Sequence, residues 1–121
     1  MALHRVVALV QAPQGPFELG CVVEVFGVHE PSIPIRYELT VCAEKPGEIA
    51  TSAGFNLSVA EGLSALEFAD TIVLPGWRPR DASISAAVRR ALLRAHERGA
   101  RLVTVCAGAF ALAQTGLLDG R

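Results

Sequence analysis

Short runs rich in apolar and β-branched residues recur along this chain at regular intervals. Residues 6–10 are all apolar and rich in β-branched side chains, a pattern typical of a parallel strand that is covered on both faces. Runs of β-favouring residues occupy residues 37–42, 71–74 and 102–105. These four runs predict four strands of one sheet.

Helical periodicity appears between the apolar runs. Apolar side chains recur at helical spacing after the first run, which predicts a helix over about residues 18–28. A second helix is predicted over about residues 86–95, where an apolar stripe lies opposite several arginines. Ser83 or Ser85 is placed to cap its start, and Gly99 is placed to end it. Strands therefore alternate with helices.

Smaller elements complete the predicted architecture. Residues 49–59 predict a short hairpin at the rim of the sheet, and residues 63–68 predict one or two helical turns. A last helix is predicted over residues 109–115, followed by Gly116. Alternating strands and helices imply an α/β fold with a doubly wound, mostly parallel sheet. Because the sequence stops soon after this helix, we expect the sheet to be incomplete.

Composition narrows the class of protein. A chain of 121 residues with 51% hydrophobic residues is sufficient for one core, so we predict one domain. Apolar runs are too short to span a membrane, and the first residues lack the pattern of a signal peptide. We therefore expect a cytoplasmic protein without membrane partners.

The charge of the chain argues against direct contact with nucleic acid. The formal net charge is −1, whereas binding to phosphates requires clustered positive charge. Most arginines fall around the second predicted helix, where a solvated polar face is the simplest interpretation. These arginines are Arg78, Arg80, Arg89, Arg90, Arg94, Arg98 and Arg101.

The cysteines do not form a structural or metal-binding pattern. Cys21, Cys42 and Cys106 are too few and too widely spaced for a disulfide scaffold or a zinc motif, so reduced thiols, no metal and no cofactor are predicted. Cys21 and Cys42 fall in apolar patterns and are interpreted as small core residues. Cys106 differs because it separates a predicted strand from a predicted helix.

Cys106 is the main candidate for chemistry. A residue between a buried parallel strand and the first turn of a helix lies at the carboxyl end of the sheet, where open α/β folds bind ligands. Small residues at Ala107 and Gly108 permit a sharp turn, and helix N–H groups favour a thiolate. The alternatives are an inert buried thiol and an oxidation-sensitive redox sensor.

Partners for Cys106 are few. Glu18 begins the first helix and would reach the same end of the sheet if the two strands were neighbours, although a glutamate at a helix start is more often a surface residue. A nucleophilic cysteine also needs a base, usually histidine. His4, His29 and His96 are predicted to lie away from the elbow and to face solvent.

Several motifs together resemble one family. They are Gly15-Pro16-Phe17-Glu18 and Glu24-Val25-Phe26-Gly27 after the first strand, Leu74-Pro75-Gly76-Trp77, Val105-Cys106-Ala107-Gly108-Ala109-Phe110, and the tail with Leu112-Ala113 and residues 115–121. Through these motifs the chain resembles ThiJ/PfpI, class I glutamine amidotransferase-like domains. The similarity is greatest to those at the front of AraC-type transcriptional regulators, and it covers nearly the whole chain.

The resemblance implies a flavodoxin-like fold, a homodimer and a nucleophile elbow at Cys106 with Glu18 beside it. It also implies a small-molecule site, of unknown ligand, formed by Gly76, Trp77, Cys106 and Ala107. Residues 1–121 would be the N-terminal part of such a domain, and DNA would be bound only through a helix-turn-helix absent from this chain.

Two departures from the enzymes of the family indicate regulation rather than catalysis. Trp77 stands where enzymatic relatives commonly have a second glycine, and it would crowd the pocket in which an oxyanion is held. The family's histidine, where present, lies beyond the point at which this chain ends, so no residue here can be assigned its role. We therefore expect a ligand-sensing and dimerisation domain of an AraC-type regulator. The alternative is a cysteine-dependent enzyme, namely an amidase-like hydrolase, an isonitrile hydratase or a glyoxalase-type lyase.

Overall fold

The strands and helices follow the predicted order. The structure is a computed structural model that describes residues 3–120. Its strands are β1 (His4–Val10), β2 (Tyr37–Ala43), β3 (Gly47–Ala50), β4 (Asn56–Val59), β5 (Thr71–Pro75) and β6 (Arg101–Val105). Its helices are α1 (Pro16–Val22), continued by a π-helical turn (Val23–Gly27), a 3-10 helix (Leu63–Phe68), α2 (Ala86–Glu97) and α3 (Gly108–Ala113).

A parallel sheet with the strand order β2-β1-β5-β6 forms the centre of the molecule. Each neighbouring pair in it is parallel, which confirms the predicted α/β architecture. The chain passes from β1 to β2 on one side and later returns to β5 on the other. Strand order therefore reverses at β1, and the carboxyl ends of β1 and β5 border the position where doubly wound folds bind ligands.

Side chains from the sheet fill two apolar layers. Val7, Leu9 and Leu74 belong to the layer beneath α2, which also contains Leu92. Val6, Ala8 and Val10 point the other way and pack with Leu19 and Val22 of α1. Both faces of β1 and β5 are thus covered, which explains why these strands are continuously apolar.

Two helices differ in extent from the prediction. α1 begins at Pro16, two residues early, because proline is well suited to the first helical position, where an N–H group is not needed. Its continuation is a π-helical turn rather than α-helix. α3 ends at Ala113, and residues 114–120 form turns instead of extending the helix to residue 115.

The hairpin and the second helix match the prediction closely. β3 and β4 pair antiparallel as a separate two-stranded sheet. Ser85, rather than Ser83, caps α2, because its Oγ accepts a hydrogen bond from the Val88 N–H at 3.1 Å. Gly99 follows the helix with φ of +96°, a conformation that favours glycine.

The arginine-rich face is not entirely a solvated surface. Arg98 Nη2 donates hydrogen bonds to the carbonyl oxygens of Leu66 (3.1 Å) and Ala69 (2.8 Å). Both oxygens lie at the end of the 3-10 helix, which leads into β5. Arg98 therefore ties the C-terminus of α2 to this segment, a structural role that the charge pattern did not predict.

No helix within residues 3–120 combines the length and apolar character needed to cross a bilayer.

Candidate functional site

Cys106 occupies a sharp elbow between β6 and α3. Its φ is +51°, the only positive φ of a non-glycine residue in the described chain, and its side chain is exposed. Gly108 makes the turn possible, because a Cβ added there would lie 2.1 Å from the Leu74 carbonyl oxygen. The close approach of α3 to the end of β5 therefore depends on glycine at position 108, and it leaves the thiol at the carboxyl edge of the sheet.

Glu18 is buried, so the alternative of a surface glutamate is wrong. Only 8% of the residue is exposed, and its carboxylate lies against two glycines. A Cβ added at Gly15 would be 1.7 Å from Glu18 Oε2, and one added at Gly76 would be 3.3 Å from it. Arg78 Nη2 forms an ion pair with the same oxygen at 3.6 Å, and among residues 3–120 this oxygen has no hydrogen-bond partner.

Gly76 connects the surroundings of Glu18 with the elbow. Its N–H donates to the carbonyl oxygens of Val105 and Leu74, each at 3.0 Å. β1 and β6 are not neighbours, contrary to the condition set from the sequence, because β5 lies between them. Even so, Gly76 at the carboxyl end of β5 contacts both the Glu18 carboxylate and Val105, the residue before Cys106.

Gln14 supports this arrangement, and the sequence analysis did not identify it. The buried side chain donates from Nε2 to the carbonyl oxygens of Pro75 and, at 3.1 Å, Gly15. Its backbone N–H donates to the Ala50 carbonyl oxygen at 2.9 Å. Gln14 thus holds the loop after β1 against both β5 and the hairpin. A glutamine in a turn-rich loop has no local signature that would reveal this role.

The indole of Trp77 is turned into the core. It is 5% exposed, packs in the layer beneath α2, and donates from Nε1 to the Ala82 carbonyl oxygen at 2.8 Å. It also lines a cavity of about 500 Å³ whose other lining residues do not include Cys106. Ala107 remains at the elbow, half-buried, as the residue preceding α3. Trp77 and Cys106 therefore face different surroundings.

Two arginines from the loop after β5 border the elbow. Arg78 pairs with Glu18, and the guanidinium carbon of Arg80 lies 5.6 Å from the centre of the Phe110 ring on α3. A cation over an aromatic face is attracted by the ring's electron density. Each guanidinium is thus held by a side chain near the elbow, Arg78 by Glu18 and Arg80 by Phe110.

The histidines lie toward the opposite end of the sheet. His4 Nε2 is 2.8 Å from Thr71 Oγ1 at the amino ends of β1 and β5. His96 is near the end of α2, which runs antiparallel to the strands it connects. His29 follows the π-helical turn, whose Gly27 packs against Leu39 in the first half of β2. The prediction that none of them serves Cys106 agrees with these positions.

The remaining cysteines differ from Cys106. Cys42 is fully buried, and burial, reinforced by the nearby Glu61 carboxylate, raises the pKa of its thiol to about 12. Cys21 is half-buried in α1. Within the described ranges no group of three or more potential metal ligands occurs.

The sequence profile of the DJ-1/PfpI family matches residues 6–121. The chain belongs to this family. It is 34% identical over 86 residues to the HTH-type transcriptional regulator GlxA of Rhizobium meliloti (strain 1021), an alignment that covers 70% of the chain and 26% of GlxA. It is 29% identical over 119 residues to an uncharacterised protein in the cpoL 5′ region of Streptomyces lividans, covering 98% of the chain and 84% of that protein.

Three solved structures share the fold. A transcriptional regulator protein of Vibrio parahaemolyticus superposes with a TM-score of 0.77 at 20% identity, covering 98% of the chain and 64% of that protein. The DJ-1 superfamily protein Atu0886 of Agrobacterium tumefaciens superposes with a TM-score of 0.71 at 19% identity, covering 98% of the chain and 61% of that protein. An AraC family transcriptional regulator of Pseudomonas putida superposes with a TM-score of 0.67 at 18% identity, covering 96% of the chain and 63% of that protein. The flavodoxin-like fold is thereby confirmed, and the chain spans less than two thirds of each of these structures.

Proposed function

We propose that this chain is the ligand-sensing and dimerisation part of an AraC-type transcriptional regulator. The observation that carries the proposal is its 34% identity with GlxA, a regulator of the helix-turn-helix type. Because the aligned region is 26% of GlxA, DNA binding is assigned to a helix-turn-helix module outside residues 1–121. Such a regulator would act in the cytoplasm, together with its DNA.

Charge supports this division of roles. The net charge of −1 gives the chain no overall attraction for the phosphate backbone. Arg78, Arg80 and Arg98 are engaged with a carboxylate, an aromatic ring and backbone carbonyls, respectively. Arg89 also donates to the Thr115 carbonyl oxygen at 3.4 Å, so four of the seven arginines of this segment are held by contacts within the protein.

Exposed apolar side chains support a role in dimerisation. Val25, Val28, Ile33 and Ile35 lie within one short segment, and each is more than half exposed. Clusters of exposed apolar residues on a protein surface commonly mark contact with another protein. A homodimer formed through this segment would have two-fold symmetry. This symmetry would match paired DNA half-sites, to which a dimeric regulator binds.

The polar groups near Cys106 favour sensing over catalysis. The Gly76 N–H already donates to Val105 and Leu74, so it does not face a developing oxyanion. The described histidines lie toward the other end of the sheet. We therefore assign Gly76, Cys106 and Ala107, together with Glu18, to ligand contact at the elbow. An exposed thiol in this position can react with an electrophile without turnover.

A cysteine-dependent enzyme is the second candidate. It is favoured by one observation, namely the exposed thiol at a residue held at φ of +51°. Unusual backbone conformations persist at catalytic nucleophiles because the surrounding structure supports them. The reaction would be an amidase-like hydrolysis, an isonitrile hydration or a glyoxalase-type lyase reaction.

Deletion of the native gene separates the two candidates. A regulator should change the transcription of a limited set of genes when deleted, and the wild-type gene should restore it. The purified protein should not convert amides, isonitriles or α-oxoaldehydes. Turnover that disappears in Cys106→Ala, together with unchanged transcripts in the deletion strain, would instead establish the enzyme.

A further inference from the structure

A cavity of about 500 Å³ lies at the carboxyl ends of β1 and β2, and we call it the Trp77 cavity. Much of its wall is formed by Leu9 and Val10 of β1, Ala43 of β2, Val88 of α2, and Trp77, which follows β5. Sites for small molecules are usually concave, mainly apolar and of this size. The cavity also lies beside β1, where the strand order reverses and doubly wound folds bind their ligands.

The charge at the rim of the cavity indicates the class of ligand. Glu44 and Lys45 both line it, but Glu44 Oε2 already accepts a hydrogen bond from Ser85 Oγ at 2.7 Å. Lys45 is the only lysine in the sequence and has no ion-pair partner within residues 3–120. Ser85 is the N-cap of α2, so the Glu44 carboxylate already lies at the positive end of this helix. The Lys45 ammonium group is therefore the charge at the rim that favours an anion.

We propose that the Trp77 cavity binds a small apolar molecule that carries one carboxylate group. The apolar body packs against Trp77 and Ile84, and the carboxylate pairs with Lys45 at the rim. This inference rests on the proposed sensing function and adds a second ligand site to it. The cavity is distinct from the elbow, since neither Cys106 nor Glu18 lines it.

Binding in this cavity has a direct path to α2. Trp77 Nε1 donates to the Ala82 carbonyl oxygen, and the Ile84 N–H donates to Gln114 Oε1 at 2.8 Å. Both contacts hold the segment that enters α2 at Ser85. A ligand that presses on Trp77 and Ile84 therefore acts on this segment and on the turns that follow α3.

Three probes of similar size test the ligand class on the purified chain. They are phenylacetate, the neutral phenylacetamide and the cationic phenethylamine. Because Trp77 is the only tryptophan, its fluorescence reports binding in the cavity. We expect phenylacetate to bind at least about tenfold more tightly than phenylacetamide, and phenethylamine to bind more weakly still. Equal affinities for the acid and the amide would overturn the assignment.

Two variants test the location. Lys45→Gln should remove the preference for phenylacetate, whereas Arg90→Gln, the loss of an exposed charge elsewhere on α2, should leave it unchanged. Ile84→Phe should fill the cavity and weaken all three probes, as measured by calorimetry. A preference retained in Lys45→Gln, or no response of Trp77 to phenylacetate up to about 10 mM, contradicts the proposal.

The readouts distinguish this inference from the proposed function. If none of the probes binds but deletion of the gene still alters transcription, only the ligand assignment fails. If phenylacetate binds through Lys45 but deletion leaves transcription unchanged, the cavity is a binding site and the regulatory function fails.

Discussion

Cys106 combines an exposed thiol with a left-handed backbone conformation. For an L-residue this conformation costs about 1–2 kcal/mol, whereas glycine adopts it without a steric penalty but loses more entropy on folding. We expect Cys106→Gly to be more stable than Cys106→Ala by about 1 kcal/mol, because both remove the thiol and only glycine relieves the strain. Urea unfolding of the two variants measures the difference. Equal stabilities would indicate that the elbow is not strained.

Cys42 makes the stability of the protein sensitive to alkaline pH. Its pKa rises from the ordinary value of 9.0 to about 12 in the folded state, chiefly through burial and secondarily through Glu61. The folded protein therefore holds the proton more tightly than the unfolded chain. The associated stabilisation is complete below pH 9 and is lost between about pH 9 and 12, at about 1.4 kcal/mol per pH unit.

Cys42→Ala should remove this part of the pH dependence. The free energy of unfolding of the wild type should fall more steeply above pH 9 than that of Cys42→Ala. Cys21→Ala is the control, since that thiol is only half-buried, and it should keep the wild-type slope. Parallel slopes for all three proteins, measured by denaturant unfolding across this pH range, would contradict the assignment to Cys42.

Individual residues were predictable where a local pattern marks them. Cys106 stands between a strand and a helix, and the resemblance pointed to Glu18. Gln14 and Arg98 were not predictable, because their partners are carbonyl oxygens far away in sequence. The position of Trp77 also depends on tertiary packing, since its place after β5 permits either the elbow or the core.

Among the helices, α2 has the most clearly defined start. Ser85 Oγ accepts from the Val88 N–H, while Ser83 lies in the preceding loop. Ser85→Ala should lower the free energy of unfolding by about 1 kcal/mol, the usual effect of losing an N-cap. Ser83→Ala is the matched control and should change it by less than about 0.5 kcal/mol. Thermal or urea unfolding of the two variants measures these changes. A larger loss of unfolding free energy in Ser83→Ala than in Ser85→Ala would show that Ser83, and not Ser85, caps the helix.

Element order follows from the sequence more readily than element pairing does. Continuous apolar runs marked β1 and β5, because burial on both faces removes any alternation. β2 and β6 are partly buried edge strands and were marked by their β-favouring residues. The sequence does not indicate that β5 lies between β1 and β6, since pairing is decided by how the connecting helices pack. The π-helical turn after α1 was missed for a similar reason, as its side-chain periodicity resembles that of an α-helix over a single turn.

At the scale of the whole molecule, the central and edge strands of the sheet are buried to different extents. Every residue of β5 is buried, whereas β6 is an edge strand with none of its residues buried. A cavity of about 860 Å³ lies beside β6, lined by Val103, Phe26, Ile35 and other residues of this face. The sheet is therefore anchored at its centre and least supported at β6.

Amide hydrogen exchange should reveal this gradient of support. Exchange from local opening follows the free energy of that opening, which is smaller where few apolar contacts are lost. We expect the amides of β6 to exchange at least about tenfold faster than those of β5 in dilute protein. If β6 is instead as protected as β5, and its protection rises with protein concentration, the edge is covered by a second copy of the chain. Equal protection that does not depend on concentration would refute the idea that β6 is the weakly held strand.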